Sequence, residues 1–136
     1  MASKLEAQKE EGVTFLKSNR DKEGVVELPN GMQYMELKKG MGASPMVSDI
    51  VKAHYRGALL DGKEFDNSFM RGQPFTAPLG SLIKGWQEAL PLMQEGSLWR
   101  LWIPSELAYG DRGAGQDIPG GATLMFDVEL LQVIKK

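Results

Sequence analysis

The chain has no cysteine and a single histidine, His54, among its 136 residues. Without cysteine there can be no disulfide framework, thiolate zinc site, cysteine nucleophile or iron–sulfur cluster. One histidine excludes a multi-histidine metal site and leaves acid–base chemistry near neutral pH to His54 or to a shifted carboxylate. Neither sign of charge is in excess: 16 Lys and Arg stand against 18 Asp and Glu, a net charge of −2. That balance lacks the basic face with which a nucleic-acid binder meets its ligand. No apolar run approaches the roughly 18 residues that a membrane-spanning helix requires. Hydrophobic residues at 42% and charged residues at 25% are ordinary for a globular chain, and the length suits one domain with a short appendage.

Several familiar loops are lacking as well. Gly62-Lys63 is followed by Glu64 rather than Ser or Thr, so there is no phosphate-binding loop. Gly113-Ala114-Gly115 is half a dinucleotide fingerprint without a strand and helix around it, and Asp61 to Asp66 lacks the acidic spacing of a calcium loop. No serine sits in a nucleophile-elbow context. No apolar segment follows Met1, so the chain shows no secretory signal. A cytoplasmic location is expected if Met1 is the native start, and a periplasmic or exported one if an upstream signal has been removed.

The order of patterns along the chain points to an α+β fold. Residues 1–20 read as a weakly amphipathic helical arm with Leu5, Val13, Phe15 and Leu16 as its large apolar residues. Gly12 inside it costs about 1 kcal/mol relative to alanine. Val25 to Leu28 and Met32 to Leu37 flank the turn signal Pro29-Asn30-Gly31. From Val51 to Gly57 the alternation is clean, with Val51, Ala53 and Tyr55 on one face and Lys52, His54 and Arg56 on the other. Asp61-Gly62-Lys63 turns the chain into an extended Glu64-Phe65-Asp66. Leu82, Ile83, Trp86, Ala89, Leu90 and Met93 form a helical stripe that Pro91 should shorten, with Gly96 placed as its stop. Leu98 to Pro104 and Leu124 to Leu130 read as strands on either side of a loop holding Gly110, Gly113, Gly115, Gly120 and Gly121. The expected architecture is an antiparallel sheet of five to six strands curled around one short helix, with residues 1–29 as arm and linker and residues 30–136 as the functional domain.

Candidate chemistry centres on aromatics. Tyr55, Phe65, Phe75, Trp86, Tyr109 and Phe126 are each compatible with ordinary core, but Asp66 follows Phe65 directly and Arg71 follows five residues later. A carboxylate and a guanidinium can therefore pair beside an aromatic cluster, the usual form of a small-ligand site. Tyr109 heads the glycine-rich loop, where its hydroxyl can serve as a donor. His54, between Lys52 and Arg56, reads as a surface histidine rather than a general base. Phe69 and Met70 are a possible apolar lip near Arg71.

Five ordered motifs then carry a resemblance. His54-Tyr55-Arg56-Gly57, Leu60 to Asp66, Ile83-Lys84-Gly85-Trp86, Leu107-Ala108-Tyr109-Gly110 and Ala122 to Leu131 resemble the FKBP-type peptidyl-prolyl cis–trans isomerases. The upstream Gly12 to Leu16 and Gly24 to Tyr34 further resemble the macrophage-infectivity-potentiator branch. The resemblance implies a sheet curled on one helix with the site between them. Its walls would be Tyr55, Phe65, Phe75, Leu82, Ile83 and Phe126, and its floor Trp86. Asp66 would be the central polar group, held by Arg71 and the Tyr55 hydroxyl, while Tyr109 and the Ile118 N–H would donate to carbonyls of the ligand. Tyr55, Asp66, Tyr109 and Phe126 would be the catalytic set.

The resemblance further implies proline-containing peptides, unfolded proteins and macrolides such as rapamycin as ligands, with no cofactor and no metal. The dimerisation segment of that branch is not in this chain, so a monomer is expected. A pocket that binds proline-containing clients with little turnover is the alternative reading. Three departures from the family pattern stand near the pocket: a link from Gly80 to Trp86 about two residues shorter than in small eukaryotic members, Asp117 before Ile118, and Gly120-Gly121 in place of a proline-containing pattern.

Overall fold

The computed structural model describes residues 3–135. Helix α1 (Lys4–Asn19) is capped by the Ser3 hydroxyl, which accepts from the Glu6 N–H at 3.1 Å. Strands β1 (Val25–Glu27) and β2 (Gln33–Lys38) form the hairpin that Pro29-Asn30-Gly31 announces, with the Asn30 side chain accepting from the Met32 N–H at 3.0 Å. Strand β3 (Ile50–Leu59) leads through the Asp61–Lys63 turn to β4 (Glu64–Asn67), the short helix α2 (Ser68–Arg71) and β5 (Phe75–Pro78). Helix α3 (Lys84–Ala89) precedes β6 (Leu98–Ile103), and the glycine-rich loop leads to β7 (Leu124–Ile134).

All strand pairs are antiparallel, in the order β1-β2-β6-β7-β3-β4, with β5 also paired to β3. One edge of β3 thus carries β5 beside Ile50–Ala53 and β4 beside Arg56–Ala58. The sheet has seven strands. The additional one, β5, is the four-residue Phe-Thr-Ala-Pro segment, whose flanking prolines mask its strand character in the sequence and suit it to an edge.

The inner face of the sheet packs on α3. Val51, Ala53, Leu101, Ile103, Leu124, Phe126, Val128 and Leu130 are buried there with Trp86, Ala89 and Leu90. Gly85 makes this close approach possible, since a Cβ there would lie 2.5 Å from the Ile103 side chain. The helical stripe ends earlier than Gly96 suggests. Pro91 has no N–H to give, so the α-helix stops at Ala89, a 3₁₀ turn covers Leu90–Leu92, and Met93 is extended. Gly96 instead turns the chain into β6 at φ 92°, with its N–H on the Leu130 carbonyl at 2.7 Å.

The outer face carries α1, which is docked rather than free. Its Asn19 amide donates to the Gln33 side chain at 2.8 Å, and Gln33 in turn donates to the Leu16 carbonyl at 2.8 Å and to Glu27 at 2.9 Å. Asn19 and Gln33 are both buried, and Trp102, opposite Gln33 in the β2–β6 register, is buried on the same face. Gly12, unfavourable for the helix alone, is needed by the docking: a Cβ there would overlap the Thr123 hydroxyl and lie 3.1 Å from Thr123 Cβ. No helix among the described residues is long and apolar enough to cross a membrane.

Candidate active site

Between α3 and the inner face of the sheet lies a cleft of about 270 Å³. Its rings meet edge to face. Trp86 stands 5.4 Å from Tyr55 at 82°, 5.5 Å from Phe126 at 90° and 6.2 Å from Phe75 at 80°. Phe65 meets Phe126 at 5.7 Å and 86°, and Tyr55 meets Phe75 at 5.8 Å and 77°. Edge-to-face pairs are favoured by the ring quadrupoles, and perpendicular rings form walls and a floor instead of a stack that would close the space. The Trp86 indole N–H is buried and has no hydrogen-bond partner among the described residues.

The register of β3 explains how these groups meet. Gly57 lies opposite Phe126 on β7 and opposite Asp66 on β4, and Tyr55 shares its face two residues away. A side chain at Gly57 would sit 2.6 Å from the Phe65 ring and 2.9 Å from Phe126, so glycine leaves the space those rings occupy. Neighbours on a regular strand point to opposite faces, yet Phe65 and Asp66 both line the cleft. The β3–β4 pairing shifts between Gly57 and Ala58, so that Ala58 faces Glu64 and Phe65 is the extra residue of a bulge. The bulge re-aims the ring towards the side its neighbour already faces.

Asp66 is the polar centre. One carboxylate oxygen accepts from the Tyr55 hydroxyl; the other accepts from the Arg71 guanidinium and, at 2.9 Å, from the Asn67 N–H. Burial works to raise the Asp66 pKa, but the bonds from Tyr55, Arg71 and Asn67 with the Arg71 charge outweigh it and hold the carboxyl below its ordinary value. The Tyr55 hydroxyl is pushed above its ordinary pKa by burial and by its bond to Asp66. Burial and the Asp66 charge do the same for Tyr109. Near neutral pH Asp66 is therefore ionised while the Tyr55 and Tyr109 phenols stay neutral. Arg71 is brought to Asp66 by α2, whose Asn67 cap accepts from the Met70 N–H and whose buried Ser68 hydroxyl accepts from the Tyr55 N–H at 2.7 Å.

Tyr55, Phe65, Asp66, Phe75, Leu82, Ile83, Trp86, Tyr109, Ile118 and Phe126 all line the cleft. Arg71 does not line it; it stands behind Asp66, with its guanidinium 6.0 Å over the Tyr55 ring. The Ile118 N–H is already engaged, donating to the Ala114 carbonyl at 3.1 Å, so Ile118 meets the cleft without a free backbone donor. His54 lies outside the cleft, with Nδ1 2.9 Å from the Ser68 hydroxyl and its ring stacked on Phe69 at 4.9 Å. Phe69 and Met70 are exposed on α2 and are not part of the lining.

Two further residues line the cleft: Asp117, which the sequence marks only as a departure near the pocket, and Ala114, which it does not single out as a site residue. They face the cleft because the glycine-rich loop folds back through an Ala114–Ile118 bridge. Gly113 permits that fold at φ 72°, where any Cβ would overlap the Ile118 carbonyl. Ile118 in the sequence marks the region but not the path of the loop.

Comparison with known proteins agrees with this geometry. A family model described as FKBP-type peptidyl-prolyl cis-trans isomerase matches residues 42–131, and one described as the domain amino terminal to it matches residues 1–35. The FKBP-type 22 kDa peptidyl-prolyl cis-trans isomerase of Escherichia coli K12 is 48% identical over 131 residues, covering 96% of this chain and 64% of that protein. The peptidyl-prolyl cis-trans isomerase Mip of Coxiella burnetii is 47% identical over 127 residues, covering 93% of this chain and 55% of that one. This chain thus spans less than two thirds of either relative. The crystal structure of a peptidyl-prolyl cis-trans isomerase from Pseudomonas syringae pv. tomato superposes with a TM-score of 0.91 at 40% identity, covering 99% of each chain.

Proposed function

This chain belongs to the FKBP-type peptidyl-prolyl cis–trans isomerase family, and from that membership and the cleft we propose that it accelerates rotation about Xaa–Pro bonds. Residues 30–136 carry this activity and residues 1–29 form an arm and linker in the same reading, supported by separate family models for the two ends of the chain. The ligands are proline-containing peptides and unfolded chains, with macrolides such as rapamycin competing for the cleft. The 136-residue chain acts as a single copy, consistent with α1 docking on its own sheet through Asn19 and Gln33.

The reaction breaks no covalent bond. Its barrier of about 18–20 kcal/mol comes from amide resonance, which the twisted transition state gives up. Losing resonance also reduces the dipole that water solvates in the planar ground state. An aromatic cleft that excludes water therefore binds the twisted imide better than the planar one, and only such differential binding speeds the reaction. In this reading Trp86, Phe75 and Phe126 grip the proline ring. Tyr109 donates its phenolic hydrogen to a ligand carbonyl, and the Asp66 carboxylate, kept ionised by Tyr55 and Arg71, orients the imide by its field.

The observation that carries the proposal is the placing of one clamped carboxylate, Asp66, at a box of perpendicular rings floored by Trp86. A pure proline binder has no evident use for that polar centre. The test is the cis-to-trans relaxation of a short Xaa–Pro peptide with and without the protein. A rate that rises linearly with protein concentration and is suppressed by rapamycin supports the isomerase. No acceleration by a folded sample would sink it and favour a client-binding module.

A further inference from the structure

The loop that supplies Tyr109, Ala114, Asp117 and Ile118 to the cleft is closed at its base by one hydrogen bond, from the Gly121 N–H to the Gly110 carbonyl at 2.9 Å. Gly110 follows Tyr109 directly, and its own N–H is held by the Ser105 carbonyl at 2.8 Å. The far side of this base is covered by α1. A Cβ on Gly121 would lie 2.9 Å from Leu5 Cδ1 and 3.0 Å from both the Leu5 carbonyl oxygen and Lys9 Cγ. Leu5 Cδ1 also lies 3.6 Å from the corresponding position on Gly120. One turn along the helix, Lys9 Nζ is 2.8 Å from a carboxylate oxygen of Asp111, on the other strand of the loop base. Helix α1 therefore touches both sides of the base, while the opposite side of the loop faces the ligand space.

From this juxtaposition we infer that α1 is a positioning element for the cleft rim, acting through Leu5 and Lys9 on the Gly110–Gly121 base and so on Tyr109 and Ile118. Five glycines between residues 110 and 121 leave Ile118 as the one large apolar side chain by which this loop is anchored in the core among the described residues. An external support then sets how often the rim holds its ligand-ready shape. The support comes from the N-terminal arm, so whatever moves the arm alters ligand affinity at a cleft it never touches. Leu5 contributes by packing. The Lys9–Asp111 pair is about half exposed on each side, so its share is small.

The kinetic consequence rests on the proposed isomerase activity, whereas amide hydrogen exchange in the loop does not, so the two are tested together on the full chain. Leu5→Ala should raise KM for an Xaa–Pro peptide about three- to tenfold with kcat within about twofold, because a looser rim weakens binding before it weakens chemistry. Exchange at the Gly121 and Ile118 amides should quicken by at least about threefold, while amides in the centres of β3 and β7 stay protected and report an intact fold. Lys9→Glu should raise KM by about two- to threefold at low salt, and adding Asp111→Lys should restore it. Unchanged exchange at Gly121 and Ile118 in both variants overturns the inference. So does unchanged KM in an active enzyme. If the parent chain does not accelerate the peptide at all, the isomerase proposal falls and the exchange rates alone decide whether the arm positions the rim.

Discussion

On the inner face of the sheet, α3 rests on Ile103 through Gly85 and delivers Trp86 into a group of perpendicular rings. On the outer face, α1 rests on Thr123 through Gly12 and ends on the buried amides of Asn19 and Gln33. Both helices are seated by a glycine that lets backbone approach side chain. Beyond that shared glycine the two seams differ. The outer seam is closed by hydrogen bonds whose groups find partners, as buried polar atoms must. The inner seam is lined by large perpendicular rings around a cleft, and its indole N–H has no partner among the described residues. A seam built for attachment satisfies its polar groups, and one built around a ligand space leaves shape unfilled.

The largest expected effect comes from removing the polar centre of the inner seam. Asp66→Leu should lower kcat/KM by about ten- to a hundredfold, the order expected for loss of a preorganised electrostatic group, while circular dichroism shows the fold retained. A variant with full activity would mean that Asp66 is not the polar centre.

Next come the two seating glycines. Gly→Ala within a helix normally stabilises by about 1 kcal/mol. Here both Gly12→Ala and Gly85→Ala should destabilise, by about 1–3 kcal/mol, because overpacking outweighs propensity. Urea unfolding checks the sign. Peptide turnover separates the seams: Gly85→Ala should also lower activity by displacing Trp86, and Gly12→Ala should act mainly on stability. Stabilisation by either change would remove the close-approach argument at that position.

A smaller loss is expected for Trp86→Leu, which keeps an apolar floor and removes the unpartnered N–H. Its kcat/KM should stay within about tenfold of the parent and above that of Asp66→Leu. Complete inactivity would assign the indole more than packing.

The smallest effect is that of pH. Asp66 has a folded pKa below its ordinary 3.8, so the bonds to its carboxylate are in force above that value and are lost as pH falls through the lower folded one. Tyr55 and Tyr109 are raised above 10.0, so their hydroxyls keep their hydrogens beyond the ordinary range. The profile of kcat/KM should be level from about pH 5 to about pH 9. A limb inside that range would contradict the assignment of the polar centre to Asp66, Tyr55 and Tyr109.

The elements with strong period were legible in the chain: the alternation of β3 around Tyr55, the stripe that becomes α3, the hairpin at Pro29-Asn30-Gly31. So were the cleft's rings and Asp66, because the order of motifs and the pairing of Asp66 with Arg71 lie within short stretches. The short strand β5 was not, since its backbone pairs only because β3 offers a free edge beside Ile50–Ala53. Gly96 pointed to a helix stop that Pro91 had already imposed, leaving the glycine to the turn before β6.

Composition and local pattern settled which chemistry this protein can hold: no thiol, one histidine, and an aromatic set with a carboxylate and a cation close in the chain. Those are properties of residue type and spacing, which the chain carries before it folds. Contacts between distant segments decided the rest. Phe65 and Asp66 share a face only through a bulge against Gly57, Ala114 and Asp117 reach the cleft only by the fold-back of a loop, and the glycine that weakens α1 is required by Thr123, over a hundred residues away. Register, bulges and close approach are set by the partner strand or helix, and a linear pattern holds no record of which partner will arrive.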